Sequence, residues 1–453
     1  MKIALAKVSS YQNWYKMPSI ALGYLAAGLE ANGVEVKIFD GRYFNIQDDR
    51  LTQEICDFNP DMVGFSAMTH EIRRVGTIAQ KVKQKRTIPV IVGGCHLTAL
   101  PAETMEEFPV IDYGVLGEGE STVLDVIKVI SGDKKIEDIE GIIYRRRGEI
   151  AQNKLRNPIA ELDLLPFPAY QHYYKYSENL ARKKLSYSIL SSRGCPFSCV
   201  FCMRMLGQAV RVRSVENIIS EMDMAITYYG ASFFNFADEI LLFNNERIKN
   251  LLTMFIKKGY PGKIKWSGLT RANFVNEEII SLAKKAGCAS LEMGVESGSD
   301  DILKRIKKNI TVAQVKSAVE IIKKYGIKLS TYYILGHPGE NENTVRETMD
   351  LAVSLNTTTI AVGLMVPYPG TMVYQWANGN KYGYKLLSKD WSRYDKYGGS
   401  ALEIEGFTLS RLEDLQKKAY LWFFLKNLRF FDLFKFILSR HKGILSVLLR
   451  RHD

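Results

Sequence analysis

The sequence predicts an α/β protein in three parts: a doubly wound parallel sheet, an open barrel of six β-α units, and a helical C-terminal extension. Three observations carry this. Roughly the first 130 residues alternate short apolar runs with amphipathic segments. A second alternating series starts at Tyr187 and contains six strand candidates. The C-terminal residues are apolar and basic without turning polar or repetitive. A chain of 453 residues is long enough for two or three such units, each with its own core.

In the first series the strand candidates are Ile3–Ala6, Val34–Phe39, Met62–Ser66, Val90–Val92 and Tyr113–Leu116. The helix candidates are Ile20–Ala31, Leu51–Phe58 and Ile72–Val82. Strands alternating with helices imply a parallel, Rossmann-like sheet covered on both faces, with ligands at the carboxyl ends of its strands. Gly93-Gly94 and Gly117-Glu118-Gly119-Glu120 fall at such ends. Residues 1–135 form this domain, and 136–184 read as a connector. There Ile142-Ile143-Tyr144 followed by Arg145-Arg146-Arg147-Gly148 suggests a hairpin, and Pro166 and Pro168 punctuate the chain.

The second series, residues 185–390, places strands near Ser188–Leu190, Phe233–Phe236, Ile264–Leu269, Ser290–Val295, Leu329–Leu335 and Ile360–Val366. The helix from Val312 to Tyr325 carries Val312, Val315, Val319 and Ile322 at helical spacing and ends at Gly326. Six units are two short of a closed eightfold barrel, so a partial (β/α)6 TIM-like barrel is predicted. Residues 391–453 form the extension.

Hydrophobic residues make up 46% and charged residues 24%, the balance of a soluble protein. The start, MKIALAKVSSYQNWY, has no small-residue cleavage site and reads as a buried strand. No run of eighteen apolar residues predicts a spanning helix. Of the net charge of +12, +8 lies between Leu415 and Arg451, where nine Lys or Arg face one acid, Asp432. The remainder is near neutral, which argues against nucleic-acid binding. Six cysteines are too few for a disulfide framework and suit a reducing cytoplasm.

Three of those cysteines sit together: Arg193-Gly194-Cys195-Pro196-Phe197-Ser198-Cys199-Val200-Phe201-Cys202, a C-x3-C-x2-C pattern directly after the first barrel strand. Thiolates hold iron–sulfur clusters, four of them for a closed cubane. Three leave one iron open to chelate a ligand through amino and carboxylate groups. The alternatives are zinc or inert thiols; zinc wants a fourth ligand, and the nearest His, His172, is more than twenty residues away. Cys56, Cys95 and Cys288 are scattered and read as small buried hydrophobes.

On this motif the chain resembles the radical S-adenosylmethionine superfamily. The resemblance implies a 4Fe–4S cluster on Cys195, Cys199 and Cys202, with S-adenosylmethionine on its open iron and cleavage to a 5′-deoxyadenosyl radical. It extends to the strand ends. Phe201 matches the aromatic that lies against adenine. Asp238 and Glu239 stand where polar groups face the methionine amino group. Arg271 ends the third strand; Glu296 and Ser297 end the fourth, where the carboxylate or ribose is held; Gly336 ends the fifth. Asp238 and Glu239 also suit a helix N-terminus, and each Gly-rich segment also suits a plain turn.

The first domain resembles the cobalamin-binding domain that precedes the radical domain in one branch of this superfamily. The residues carrying it are Val63-Gly64-Phe65-Ser66-Ala67-Met68-Thr69, Gly93-Gly94-Cys95-His96 and Gly117-Glu118-Gly119. It implies cobalamin contacts from Ser66, Thr69, Gly93, Gly94, His96, Gly117, Glu118 and Gly119. An unoccupied doubly wound domain is the alternative, and His96 equally suits a turn cap. The absence of G-x-G-x-x-G after the first strand argues against a nicotinamide cofactor. Val8–Ser19 contains no His, so cobalt would lack the usual protein ligand; Tyr11, Trp14 and Tyr15 stand there instead.

The resemblance to the anaerobic magnesium-protoporphyrin ester cyclase and hopanoid methylase groups covers about residues 1–375. It implies modification of an unactivated carbon, by methyl transfer or else by oxidative cyclisation or rearrangement. It also implies a low-potential electron donor. A methylthiotransferase would need three more cysteines in the first domain, which offers two. A non-catalytic cofactor-binding sensor would be expected to have lost a thiolate, and all three are present. The basic apolar tail fits either a helix in the membrane interface or a cap on the open barrel. In the first case the protein is cytoplasmic and peripheral to the inner membrane face, acting on a lipid or another apolar small molecule.

Overall fold

The computed structural model describes residues 1–9, 17–174, 185–395 and 401–438. Tyr11, Trp14 and Tyr15, and the tail beyond 438, lie outside the described residues.

The first sheet is built on five parallel strands: β1 (Lys2–Lys7), β2 (Glu35–Asp40), β3 (Met62–Ser66), β4 (Val90–Gly93) and β5 (Tyr113–Val115). Their order is 2-1-3-4-5, the doubly wound arrangement in which the chain changes direction between β1 and β3. Ile3, Ala4, Leu5 and Ala6 are almost wholly buried because helices cover both faces, which is why β1 reads as an unbroken apolar run. The hairpin forms from β6 (Ile142–Arg146) and β7 (Glu149–Gln152). Arg147 and Gly148 both take positive φ at its two-residue turn, as the strand twist demands. β6 pairs antiparallel with β5, so the hairpin extends the first sheet to seven strands.

The second sheet starts at β8 (Leu185–Ile189). A short ladder follows, β9 (Ser192–Arg193) against β10 (Arg211–Val212). The barrel continues with β11 (Ala231–Phe236), β12 (Lys265–Thr270), β13 (Cys288–Glu296), β14 (Lys328–Leu335) and β15 (Thr359–Leu364). These six strands are parallel and neighbour one another in chain order, an open half-barrel. Helix Val312–Lys324 shows how the local sequence builds a unit. Thr311 and Gln314 form a capping box, Val315, Ala318, Val319 and Ile322 are buried, and Gly326 takes φ +63° just beyond the end.

A half-barrel has two edge strands, here β8 and β15, and the second is covered from outside the barrel. Helix Leu409–Lys426 covers it: Gln416 Nε2 donates to the Val362 carbonyl at 2.8 Å, and the Tyr420 hydroxyl accepts from the Val362 N–H at 2.9 Å. The helix buries its own Leu412, Leu415, Ala419, Phe423 and Phe424. This part of the tail is therefore a barrel cap that blunts an edge strand. Among the described residues no helix is long and apolar enough to cross a membrane.

Candidate functional site

The three cysteines lie on residues 194–210, a loop closed at its neck by the β9–β10 ladder. Gly194 opens it at φ +102°, where a Cβ would come within 2.3 Å of the Ala209 carbonyl oxygen, so only glycine fits. The loop is held from within by Cys195 N–H to Gly207 O (3.2 Å) and Cys202 N–H to Cys199 O (3.2 Å). Val200 N–H ties it to Ile306 O on the barrel at 3.1 Å. The Cys199 thiol is buried and points at the Lys307 carbonyl, 3.8 Å away. Among the described residues no three His, Cys, Asp or Glu side chains converge as for a single metal ion; a cubane takes each thiolate on a different iron.

Strand ends surround the loop. Arg271, after β12, lays its guanidinium 3.7 Å from the centre of the Phe197 ring, and its Nη2 is buried without a partner. Burial lowers its pKa, and the Cys199 and Cys195 sulfurs and Glu296 oppose that shift. Glu239 carries a buried Oε2 with no partner, and burial raises its pKa. Glu239 and Arg271 both act electrostatically on Cys195. Glu296, at φ +72°, folds its carboxylate over Gly294 and accepts from Lys308 Nζ at 2.8 Å. Phe201 packs 6.0 Å from the His337 ring at the end of β14.

Asp238, Ser297 and Gly336 are placed differently. The Asp238 carboxylate accepts from Ser191 N–H at 3.0 Å, Ser191 Oγ at 2.6 Å and Ser192 Oγ, so it fixes the chain leaving β8. The Ser297 hydroxyl is shared with Thr348 and the Ser299 N–H. Gly336 donates its N–H to Glu340 Oε2 at 2.6 Å, and its carbonyl accepts from Tyr384. Asp238 and Ser297 thereby fix the strand ends on which their neighbours Glu239 and Glu296 stand. Sequence reading passed over Lys308, which carries no motif signal of its own, and gave no role to His337, which stands beside Gly336 at the end of the fifth strand.

In the first domain a cavity of about 300 Å³ opens at the carboxyl ends of β3, β4 and β5. Ser66, Gly93, Gly94, Gly117, Glu118 and Gly119 line it, and it runs down between Leu5, Ile20, Ile91 and Val115. Gly64 makes that slot: a Cβ there would lie 3.1 Å from both Ile91 and Leu5. A narrow apolar slot ending in glycine backbone fits a group with a planar base on a tail. Gly94 takes φ +106°, with a Cβ position 2.5 Å from Ala67 O, so it also serves the backbone turn. Thr69 and His96 do not line the cavity. Thr69 opens a buried 3-10 turn, and His96 packs 4.8 Å from the Trp391 ring, its pKa lowered by burial to about 4. The far wall comes from the barrel: Leu190, Arg193, Met205, Leu206 and Ala237. Two of these, Met205 and Leu206, belong to the cysteine loop.

The B12 binding domain family matches residues 14–127, and the Radical SAM superfamily matches residues 189–352. An uncharacterized methyltransferase of Pyrococcus horikoshii is 31% identical over 440 residues, covering 95% of this chain and 94% of that protein. The chain belongs to the cobalamin-dependent radical S-adenosylmethionine enzyme family. The anaerobic magnesium-protoporphyrin IX monomethyl ester cyclase of Rubrivivax gelatinosus is 26% identical over 393 residues, covering 84% of this chain and 69% of that protein. In fold it is similar to the radical S-adenosylmethionine methyltransferase TsrM of Kitasatospora setae, solved with cobalamin and a [4Fe-4S] cluster. That match has TM-score 0.74 and 18% identity, and covers 94% of this chain and 88% of that one. The family's cofactors are a 4Fe–4S cluster, S-adenosylmethionine and cobalamin, and the cysteine loop and the glycine-rimmed cavity fit the cluster and the corrinoid.

Proposed function

We propose that this enzyme transfers a methyl group from S-adenosylmethionine to an unactivated carbon of an apolar small molecule, using cobalamin as carrier. The observation carrying this reading is the shared wall: Met205 and Leu206 of the cysteine loop line the same cavity as Gly93 and Gly117. A methyl carrier and a radical source must act on one substrate, and a common wall keeps them adjacent. When bound, the cluster supplies the electron that cleaves S-adenosylmethionine and the corrinoid supplies the transferable methyl group.

The chain's own residues would do the rest. Cys195, Cys199 and Cys202 hold the cluster. Glu239, whose Oε2 is buried without a partner, offers an acceptor to the methionine amino group, and Arg271 offers a donor to its carboxylate. Phe201 supplies a flat face to adenine. Leu190, Ala237, Met205 and Leu206 keep the space between the sites apolar and exclude water. Names of relatives support methyl transfer over cyclisation: the Pyrococcus horikoshii protein is called a methyltransferase and aligns over more of this chain than the cyclase does.

The tail bears on the substrate. Leu428, Phe430, Phe431 and Phe434 are exposed, with Lys435 Nζ 4.2 Å from the Phe431 ring. Apolar side chains interleaved with cations suit the membrane interface, where a lipid or another apolar substrate resides. A low-potential donor would reduce the cluster.

The test is anaerobic incubation of the reconstituted enzyme with membrane extract, reductant, cobalamin and S-adenosylmethionine deuterated at its methyl group. Label recovered on carbon in an extracted product is expected. A product altered in hydrogen count but carrying no label would replace this reading with the cyclase one.

A further inference from the structure

The neck of the cysteine loop poses an electrostatic problem. Arg193 and Arg211 are directly opposed register partners in the β9–β10 ladder. Like charges facing each other across strands repel, and both side chains are largely withdrawn from water. The first domain resolves this with two carboxylates, one of which, Glu118, bridges both arginines. Glu118 Oε1 accepts from Arg193 Nη1 at 2.8 Å, and its Oε2 accepts from Arg211 Nη1 at 2.7 Å and from Ile159 N–H at 2.7 Å. Glu120 takes the outer Arg193 nitrogen at 2.7 Å, and Arg211 also donates to the carbonyls of Ile159 and Leu206. The stretch between the two arginines contains all three cysteines. Glu118 itself follows β5 between two glycines that rim the cavity.

We propose that Glu118 is a positioning residue that locks the neck of the cysteine loop against the corrinoid cavity, so that each cofactor stabilises the other's site. A carboxylate between two guanidiniums is a stiff, bidentate link. A group filling the cavity packs directly on Met205 and Leu206 of the loop, and that packing holds the cysteines in place only while the neck keeps the loop anchored. Linkage makes the coupling reciprocal, so corrinoid binding protects the cluster as much as the cluster favours the corrinoid. The inference rests on where the two cofactors bind; it does not depend on the reaction's being methyl transfer.

The experiment is a chelator challenge of the reconstituted full-length enzyme, following iron release with and without saturating hydroxocobalamin, whose binding is measured separately by equilibrium dialysis. In the wild type, hydroxocobalamin should slow iron loss by about fivefold or more, the usual scale of site-to-site coupling. Glu118→Gln keeps the shape but not the charge. With hydroxocobalamin held saturating at the level that dialysis fixes for this variant, its cluster should gain less than a twofold benefit. Glu120→Gln, which loses only the outer Arg193 contact and leaves the central carboxylate between the arginines, should keep more than half of the wild-type protection; a loss there as complete as in Glu118→Gln would mean general weakening of the domain contact and would overturn the proposal. So would full protection in Glu118→Gln. Should that variant fail to fold, Arg211→Lys keeps the charge but loses the fork to Glu118, Ile159 and Leu206. It should lose at least half the protection, and undiminished protection there overturns the proposal equally.

Discussion

Asp238 and Glu239 are adjacent acids at the end of β11, and the structure assigns them opposite burdens. Asp238 satisfies three donors, Ser191 N–H, Ser191 Oγ and Ser192 Oγ, all buried. Asp238→Ala strands them. A hydrogen bond to a charged group contributes about 1.5–3 kcal/mol, so after partial relaxation the loss should be about 3–5 kcal/mol. That is a large share of the ~5–15 kcal/mol typical of a folded domain. Glu239 satisfies no donor with Oε2 and is already strained by burial. Glu239→Gln should therefore change stability by less than about 1 kcal/mol and yet weaken S-adenosylmethionine binding at least tenfold, about 1.4 kcal/mol. Urea unfolding gives the first quantity, and equilibrium dialysis of S-adenosylmethionine against reconstituted protein gives the second. Wild-type stability in Asp238→Ala, or unchanged S-adenosylmethionine affinity in a folded Glu239→Gln, would refute this division of labour.

Four further outcomes follow from particular contacts. Cys199→Ala should abolish the cubane signal, while Cys288→Ala, buried at the start of β13, should leave iron content unchanged; iron analysis decides. Gly64→Val should plug the slot between Leu5 and Ile91 and lower retained corrinoid while the iron taken up on reconstitution without corrinoid stays at the wild-type level, read by absorbance and iron assay. Burial raises the Glu340 carboxyl from its ordinary 4.5 to about 7. The folded state then holds a proton that the unfolded chain has released, so stability should fall as pH rises from about 4.5 to about 7, by about 3 kcal/mol at 1.36 kcal/mol per pH unit. Glu340→Gln, which can still accept from Gly336 and His337, should flatten that slope in pH-dependent urea unfolding. Full-length protein should co-sediment with anionic liposomes at low salt, and a chain ending at Asn427 should not; equal sedimentation would remove the tail as a pointer to a membrane-resident substrate.

The two sheets were legible because buried parallel strands leave unbroken apolar runs, as in Ile3–Ala6 and Met62–Ser66, with helical spacing between them. The cysteine loop was legible because its ligands are adjacent in sequence. The capping helix Leu409–Lys426 was legible only as one of two readings. Its apolar and basic residues suit a membrane or a barrel edge equally, and the hydrogen bonds to Val362 that separate these depend on where β15 ends up. Glu118 was legible as a residue at the cavity, but its tie to Arg193 and Arg211, 75 and 93 positions away, was not. The same holds for Asp238 and Ser297: a polar residue at a strand end looks identical whether it meets a ligand or a neighbouring loop. Gly64 was legible as part of the cobalamin-domain pattern but was given no contact of its own, although a glycine inside an otherwise apolar strand marks close approach of another group.

The most direct measurement is the count of two products from S-adenosylmethionine, made anaerobically with the reconstituted enzyme, cobalamin, a low-potential reductant and a membrane extract. Methyl transfer through a corrinoid consumes one S-adenosylmethionine to load the carrier and a second to open the substrate. S-adenosylhomocysteine and 5′-deoxyadenosine should therefore appear together in near-equal amounts, and both should vanish in Cys199→Ala. 5′-Deoxyadenosine accumulating with substrate turnover and no S-adenosylhomocysteine would contradict the account.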